Sequence, residues 1–589
     1  MFRYPLVFIC LTIIAFSLCF NLWNTNRMLV DAPNYYAYLP SLVLHQDLSL
    51  NYINENPAFY KGKIWYDTIP GGKKLIMHPL GLSLVLSPFF FAGHFIAGIL
   101  GSPQDGYSLP YQNALSIGIL IYLITGLYYL KKTLLNFFSE KITAITLISI
   151  VLGTNLLWYS TFEGLMSHSL SFSFWCICIY TFFQWLKTEK NRYLLLFSVG
   201  FGIIILLRLL SVFFILYFLL FAVFSKGGIG QFLLFIKPRL KIIFHGLLLT
   251  SVLLFIQLCY WKYATGHWLY DVYFGQRFIF NSPQVMLFLF SFRKGVFIYT
   301  PVLLFSIIGM IQLYRNQRAL FYPTFIFMSL MIYILSCWWA WSYGISWGMR
   351  PMIDYYSLLS IPMAAGFNLL SKHGKVIQWI QYLILTAFIA LNLFQTWQYK
   401  NGLIHFDDMS RAAYFKGFFQ TKSNEEWKDL LTPYDWNRRL KGLKQIEYSE
   451  HFFAKLDKNE SVYLRGSNLL YLTVNSKAQN AMAALAKTAN ANGLFYIEHL
   501  NLDTICIRSK NGFLWSLDEA EESTVMATGS MAGKAEKFTF HYLNSGDNKL
   551  AIKGCNGKYV SIGNRWPFII RSNSDALTKA ETFRYFVFE

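Results

Sequence analysis

Asp31 stands a few residues past the first apolar stretch of the chain and opens the run Asp31-Ala32-Pro33-Asn34-Tyr35-Tyr36. A carboxylate near a membrane surface is partly desolvated, which raises its pKa toward working pH and suits it to accept a proton from an attacking hydroxyl. Cations supply the complementary chemistry. Arg350, the pair Arg293 and Lys294, and Arg277 lie in polar segments between apolar runs, where a guanidinium or ammonium group can hold a phosphate and stabilise the charge that grows on it as it leaves. Glu163, His168, Arg208, Lys74, His78 and Asp354 fall in comparable segments and are auxiliary candidates. A lone Glu with a lone His is a weak metal signature, so no tight metal site is expected. A divalent ion bridging a bound phosphate is the inorganic cofactor compatible with such a site.

Each of these residues also has a plainer reading. Asp31 precedes Ala32-Pro33, a good helix start, and could cap that helix. The arginines could pair with Asp271 and Asp354 or bind lipid headgroups. The tryptophans between residues 338 and 347 suit an interfacial aromatic belt; Trp341 and Trp347 are the sugar-stacking alternatives.

The elements that must position these groups are membrane helices. Of 589 residues, 55% are hydrophobic, 19% aromatic and 14% charged, and apolar runs long enough to cross a bilayer recur from residue 5 to about 394. The formal charge of +20 is scattered through short loops rather than gathered on one face, which argues against nucleic acid as a partner. The spans read as 5–23, 111–130, 142–158, 169–186, 193–207, 209–225, 242–263, 295–313, 319–338, 352–370 and 376–394, about eleven helices. With the N-terminus inside, Lys131, Lys132, Lys187, Arg192, Lys226, Lys241, Arg315, Arg318, Lys372 and Lys375 all fall on the cytoplasmic side. Pro79 to Leu100 is also apolar, but a further crossing would place the basic loops outside. It is therefore expected to be interfacial or re-entrant, broken near Pro88. The large first loop, 24–110, and everything after 395 then lie outside the cytoplasm.

An acid after the first span, a long first external loop with the turn Pro79-Leu80-Gly81, and cationic external loops resemble the GT-C class of integral-membrane glycosyltransferases, over roughly residues 1–400. The protein O-mannosyltransferase and aminoarabinose-transferase branch is the nearest in pattern. The resemblance implies a polyprenyl-phosphate sugar donor, a first-loop carboxylate matching Asp31, and cationic side chains on the phosphate. This chain departs from the pattern at two points. Ala32 follows Asp31 where the mannosyltransferases often have a second acid, and Met77-His78 precedes the proline turn where the aminoarabinose branch has a lysine, Lys73 and Lys74 lying earlier.

After the last span, residues 395–458 read as an amphipathic linker or collar, and 459–589 as short alternating strands with frequent turn dipeptides. An internal repeat runs through this last part. Val462-Tyr463-Leu464-Arg465, Ile505-Cys506-Ile507-Arg508 and Leu550-Ala551-Ile552-Lys553 begin three units, and Phe495, Phe538 and Phe583 mark their ends, at a spacing of about 43 to 45 residues. Three four-stranded units can close into one barrel without exposed edges, which looks like a β-trefoil. Asn556-Gly557-Lys558-Tyr559-Val560-Ser561 resembles the fascin-like branch. That resemblance implies a glycan- or protein-binding accessory domain or a structural cap, with Trp515 and Trp566 as stacking candidates. A disulfide between Cys506 and Cys555 is not expected, because their strand contexts differ.

The expected fold is thus an α-helical polytopic membrane domain (1–394) followed by an all-β trefoil. The expected function is inverting sugar transfer from a polyprenyl-phosphate donor on the periplasmic side of a bacterial cytoplasmic membrane. The acceptor, a protein, lipid or polysaccharide, is not readable. The alternatives are a non-catalytic membrane-anchored glycan-binding protein and a transporter, though the polar residues crowd one face rather than the midplane. A cytosolic nucleotide-sugar enzyme is disfavoured by the lack of Asp-x-Asp and Gly-x-Gly-x-x-Gly motifs.

Overall fold

Each apolar run expected to cross a membrane is helical over most of its length in the computed structural model. The structure describes residues 4–64, 66–69, 72–273, 275–422, 427, 430–431, 461–466, 468–476, 479–489, 491–500, 505–518, 523–542, 549–563, 569–574 and 582–587. The chain divides into two units, Met1–Asp407 and Asp408–Glu589.

Among the described residues six helices are long and apolar enough to cross a membrane: Gly81–Ile99, Leu109–Leu134, Ser167–Thr188, Ile229–Thr265, Arg318–Ser336 and Lys375–Lys400. Several other expected spans are interrupted, which shortens their continuous helices. Helix Asn191–Leu207 ends at Arg208, where the expected spans 193–207 and 209–225 divide, and the second of these opens with the 3-10 turn Leu209–Phe213 before helix Phe214–Ser225. Glu140–Leu152 is separated from Leu156–Thr161 at Gly153. The turns Pro301–Leu303 and Arg350–Tyr355 precede helices Leu304–Asn316 and Tyr356–Ser371, with Pro301 and Pro351 in first-turn positions where a missing N–H costs nothing.

One expectation is corrected. Gly81–Ile99 is a single helix with Pro88 inside it, not an element broken at that residue. It packs on helix Leu109–Leu134, where a Cβ on Gly93 would come within 2.8 Å of the Tyr111 Cα. Small residues let apolar helices touch backbone to backbone. Gly309 and Gly366 do so between Leu304–Asn316 and Tyr356–Ser371, and Gly81 does so against Leu206 and Leu207, which brings the segment His78-Pro79 beside Arg208. A two-stranded hairpin, β1 (Asp67–Thr68) and β2 (Lys74–Leu75), leads into that segment.

Of the expected collar, helix Lys375–Lys400 runs past residue 394, a short helix spans Arg411–Gly417, and 432–460 lie outside the described residues. Among the described residues the second unit is a β-barrel of twelve strands: β3 (Ser461–Gly466), β4 (Tyr471–Asn475), β5 (Ala481–Ala486), β6 (Leu494–His499), β7 (Ile505–Ser509), β8 (Leu514–Asp518), β9 (Thr524–Gly529), β10 (Phe538–Tyr542), β11 (Lys549–Gly554), β12 (Tyr559–Ile562), β13 (Ile570–Ser574) and β14 (Thr582–Val587). Antiparallel pairings β3–β6, β6–β7, β7–β10, β10–β11, β11–β14 and β14–β3 close a ring. Hairpins β4–β5, β8–β9 and β12–β13 meet one another through β5–β9 and β9–β13.

The repeat extends to single hydrogen bonds. After β3, β7 and β11 the side chains of Asn468, Asn511 and Asn556 each accept the amide two residues on, at 3.1, 3.2 and 3.1 Å. The residue following each Asn is left-handed; Gly512 and Gly557 take this conformation freely, whereas Leu469 pays for it in strain. Phe495, Phe538, Phe583 and Trp515 fill the barrel core. None of the eight cysteines, all within the described residues, is joined in a disulfide.

Candidate active site

Asp31 holds the N-cap position of the short helix Ala32–Tyr36, but its side chain makes no capping bond. Instead its Oδ2 accepts a hydrogen bond from Arg350 Nη1 at 2.8 Å, across 319 positions of sequence. The residue before it, Val30, is left-handed (φ 55°). A β-branched residue there costs about 1–3 kcal/mol, the kind of strain that packing sustains where a side chain must be aimed.

Arg350 starts the 3-10 turn Arg350–Tyr355, and the chain leading into it is tightly held. The Trp347 amide donates to Tyr159 Oη at 3.0 Å, Asn155 Nδ2 donates to the Trp347 carbonyl at 3.0 Å, and Tyr356 Oη donates to Asn155 Oδ1 at 2.7 Å. The same turn carries Asp354, whose Oδ2 lies 2.6 Å from Arg208 Nε and whose Oδ1 lies 3.3 Å from His168 Nδ1. One turn therefore contributes a cation to one ion pair and an anion to another.

Asp31, Arg350, Arg208 and His78 line one cavity of about 720 Å³. The His78 amide donates to Asn34 Oδ1 at 2.7 Å and its ring packs edge-on to Tyr35. Burial lowers the His78 pKa to about 4, so this imidazole is neutral near pH 7. The expected rise of the Asp31 pKa is corrected: burial works to raise this carboxyl, but the adjacent Arg350 guanidinium outweighs it and holds the group below its ordinary value. Arg350 and Arg208 are likewise raised, against the opposing effect of burial, by Asp31 and Asp354. The result is a cavity with two carboxylate-held guanidiniums and an ionised carboxylate on its wall, able to bind an anion and accept a proton.

The other sequence candidates are placed differently. Arg293 and Lys294 are buried and do not line this cavity; Arg293 donates to the Asp407 carbonyl, and Lys294 to the carbonyls of Ser346 and Phe406. Burial drops the Lys294 pKa to about 7, which weakens it as a permanent cation. Arg277 is exposed and does not itself line the cavity, although its neighbours Gln276 and Phe278 do; its carbonyl accepts from the Trp339 amide. Lys74 bonds the Leu50 carbonyl and Asn54 Oδ1 at 2.6 Å, a local clasp. Glu163 is buried off the lining, and burial raises its pKa to about 7. Trp341, Trp347 and Trp515 are fully buried, so none presents a ring face for a sugar, a correction to the stacking expectation. Trp566 lies outside the described residues.

The cavity residues not singled out from sequence include Trp338, Tyr66 and Asp67. Trp338 is half-buried against Phe278 and Tyr273. Its signal in sequence was its place at the mouth of the Trp-rich segment, directly after helix Arg318–Ser336 ends. Asp67 sits on β1, and nothing in its sequence neighbourhood marks it. Among the described residues no three His, Cys, Asp or Glu side chains gather as a metal site.

No protein-family model matches the chain, and no curated protein does. Among solved structures, the chain is similar to the oligosaccharyltransferase of Archaeoglobus fulgidus in its apo form, at 14% identity over 78% of this chain and 62% of that one, with a TM-score of 0.35. It is similar also to the S. cerevisiae protein O-mannosyltransferase Pmt1-Pmt2 complex bound to the sugar donor, at 9% identity over 87% of this chain and 56% of that one, with a TM-score of 0.22. The designed threefold-symmetric protein ThreeFoil matches 21% of this chain and 97% of its own length, at 12% identity and a TM-score of 0.20. In both transferase comparisons this chain spans less than two thirds of the other's length.

Proposed function

We propose that the chain is an integral-membrane glycosyltransferase that moves a sugar from a polyprenyl-phosphate donor to a hydroxyl acceptor, on the periplasmic side of a bacterial cytoplasmic membrane. The observation that carries this reading is the Asp31–Arg350 pair at 2.8 Å on the wall of a cavity large enough for a sugar and its phosphate. A compartment without nucleotide sugars needs its donor on a lipid, and the lipid's phosphate is then the leaving group.

The acceptor oxygen attacks the anomeric carbon while the bond from that carbon to the phosphate oxygen breaks. The bonding pair leaves on the phosphate, where Arg350 meets the growing charge. The acceptor's proton passes to the Asp31 carboxylate, which later releases it to water. A single base with no carboxylate nucleophile gives one displacement, hence inversion. Trp338 supplies an apolar ring face in the cavity and Asp67 a carboxylate able to accept from sugar hydroxyls. In this reading the barrel is a β-trefoil of the fascin-like kind, acting as an accessory domain.

The test compares glycans, glycolipids and glycoproteins, by mass spectrometry, in cells lacking the protein and in cells restored with wild type or Asp31→Asn. Wild type should restore a missing hexose or pentose and a well-accumulated Asp31→Asn should not. If deletion removes no sugar from any of the three pools, the proposal fails.

A further inference from the structure

Arg208 is the second guanidinium on the cavity wall, and the side chains behind it are arranged with unusual completeness. Its Nε donates to Asp354 Oδ2 at 2.6 Å, and its Nη1 lies 3.3 Å from His168 Nε2. His168 Nδ1 in turn lies 3.3 Å from Asp354 Oδ1, which closes a three-membered network. Asp354 and His168 are buried, with 5% and 2% of their side chains exposed, while Arg208 retains 17% and reaches the cavity.

Proton positions follow from this geometry. A guanidinium only donates, so His168 Nε2 must be the accepting nitrogen and Nδ1 must carry the proton that goes to Asp354. The imidazole is therefore a neutral bridge, and the Asp354 carboxylate is the counter-charge. With Nε and one edge of Nη1 committed to these two partners, the remaining N–H groups on Nη1 and Nη2 form a fork of fixed direction. A preset guanidinium fork matches two oxygens of one phosphate. Arg350 differs, because its Nη1 is engaged by a carboxylate that itself faces the cavity.

We propose that Arg208 is the principal phosphate-binding group of the cavity and that Asp354 and His168 are positioning residues that aim it. The ligand is the anionic phosphate head of a polyprenyl monophosphate; this rests on the function proposed above. Asp354 thus acts on donor affinity through Arg208 alone.

A double-mutant cycle on the full-length chain in detergent tests this, with bare polyprenyl monophosphate as the probe, the unphosphorylated polyprenol as control, and native mass spectrometry as the readout. Arg208→Gln and Asp354→Asn should each weaken phosphate binding by about ten- to a hundred-fold and leave polyprenol binding unchanged. The double variant should bind no more weakly than Arg208→Gln. Multiplying effects would overturn the positioning role, since independent contributions add in free energy. Unchanged binding in Arg208→Gln would overturn the phosphate assignment. Should Asp354→Asn fail to accumulate, Arg208→Lys decides: a charge without the fork should bind at an intermediate level, and wild-type affinity would count against a preset fork. Wild-type protein that does not prefer the phosphate over the polyprenol would instead remove the lipid-phosphate reading itself.

Discussion

The helical unit and the barrel differ in how far their ion pairs are exposed. In the helical unit, Asp31 with Arg350 and Asp354 with Arg208 are ion pairs with side chains at most 19% exposed, joined across long stretches of sequence. In the barrel, Arg508 pairs with Glu498 from the neighbouring strand, with about a third of each side chain exposed, and the interior is filled by Trp515 and phenylalanines. Burying charge is costly unless it is paired, and replacing such a pair with apolar groups is often neutral or better for stability. Ion pairs kept at that cost beside a cavity point to chemistry in the helical unit.

The largest expected effect is on transfer. Asp31→Asn should cut the rate by about 10²–10⁴-fold, the usual worth of a general base, with little loss of protein, read by product mass spectrometry on equal amounts of purified chain. A barrel variant that abolished the chemical step while Asp31→Asn did not would break the comparison outright. Its counterpart, Trp515→Ala, should cost the barrel about 3–5 kcal/mol and appear as lost protease resistance of residues 461–587.

Glu163 sharpens the contrast through pH. Its folded pKa is raised from 4.5 to about 7, so between those values the unfolded chain is ionised there while the native chain is not. Native stability therefore falls as pH rises from 4.5 to 7 and stays lowered above. Glu163→Gln removes that penalty and should raise thermal stability at pH 8 by up to about 3 kcal/mol relative to wild type, with little gain at pH 4. Equal gains at both pH values would mean that the burial cost is not ionic.

Trp338→Ala should raise the donor KM about tenfold with a smaller effect on kcat, as expected for loss of a stacking face, in steady-state assays. The smallest effect is expected at the surface: Arg508→Ala should change thermal stability by less than about 1 kcal/mol and leave transfer untouched.

Periodicity and long apolar runs are local properties, and these were legible. The helices at the expected spans and the threefold recurrence of Phe495, Phe538 and Phe583 follow from side-chain patterns that secondary structure and burial must satisfy. Gly81–Ile99 departs from the expectation at one point, Pro88, which does not break the helix. Inside an apolar helix pair a proline is tolerated where neighbours meet the freed backbone groups.

Within the candidate site, residue type could nominate cations but not their partners. Arg293, Lys294, Arg208 and Arg350 look alike in sequence, yet the first two spend their donors on backbone carbonyls and the last two face a cavity. Trp338, Trp341 and Trp347 share one irregular segment, where no helical or strand period assigns a face, and only the first reaches the cavity.

By itself, then, the sequence determined that this chain is a set of apolar helices followed by a repeated β-unit, and that Asp31 is an acid at the end of the first apolar run. Only the tertiary structure decided that Asp31 meets Arg350, that Asp354 meets Arg208, and that Trp338 and Asp67 share their cavity. Apolar burial acts on every residue of a local pattern, whereas an ion pair depends on a few atoms brought together from distant parts of the chain, and no local pattern encodes that meeting.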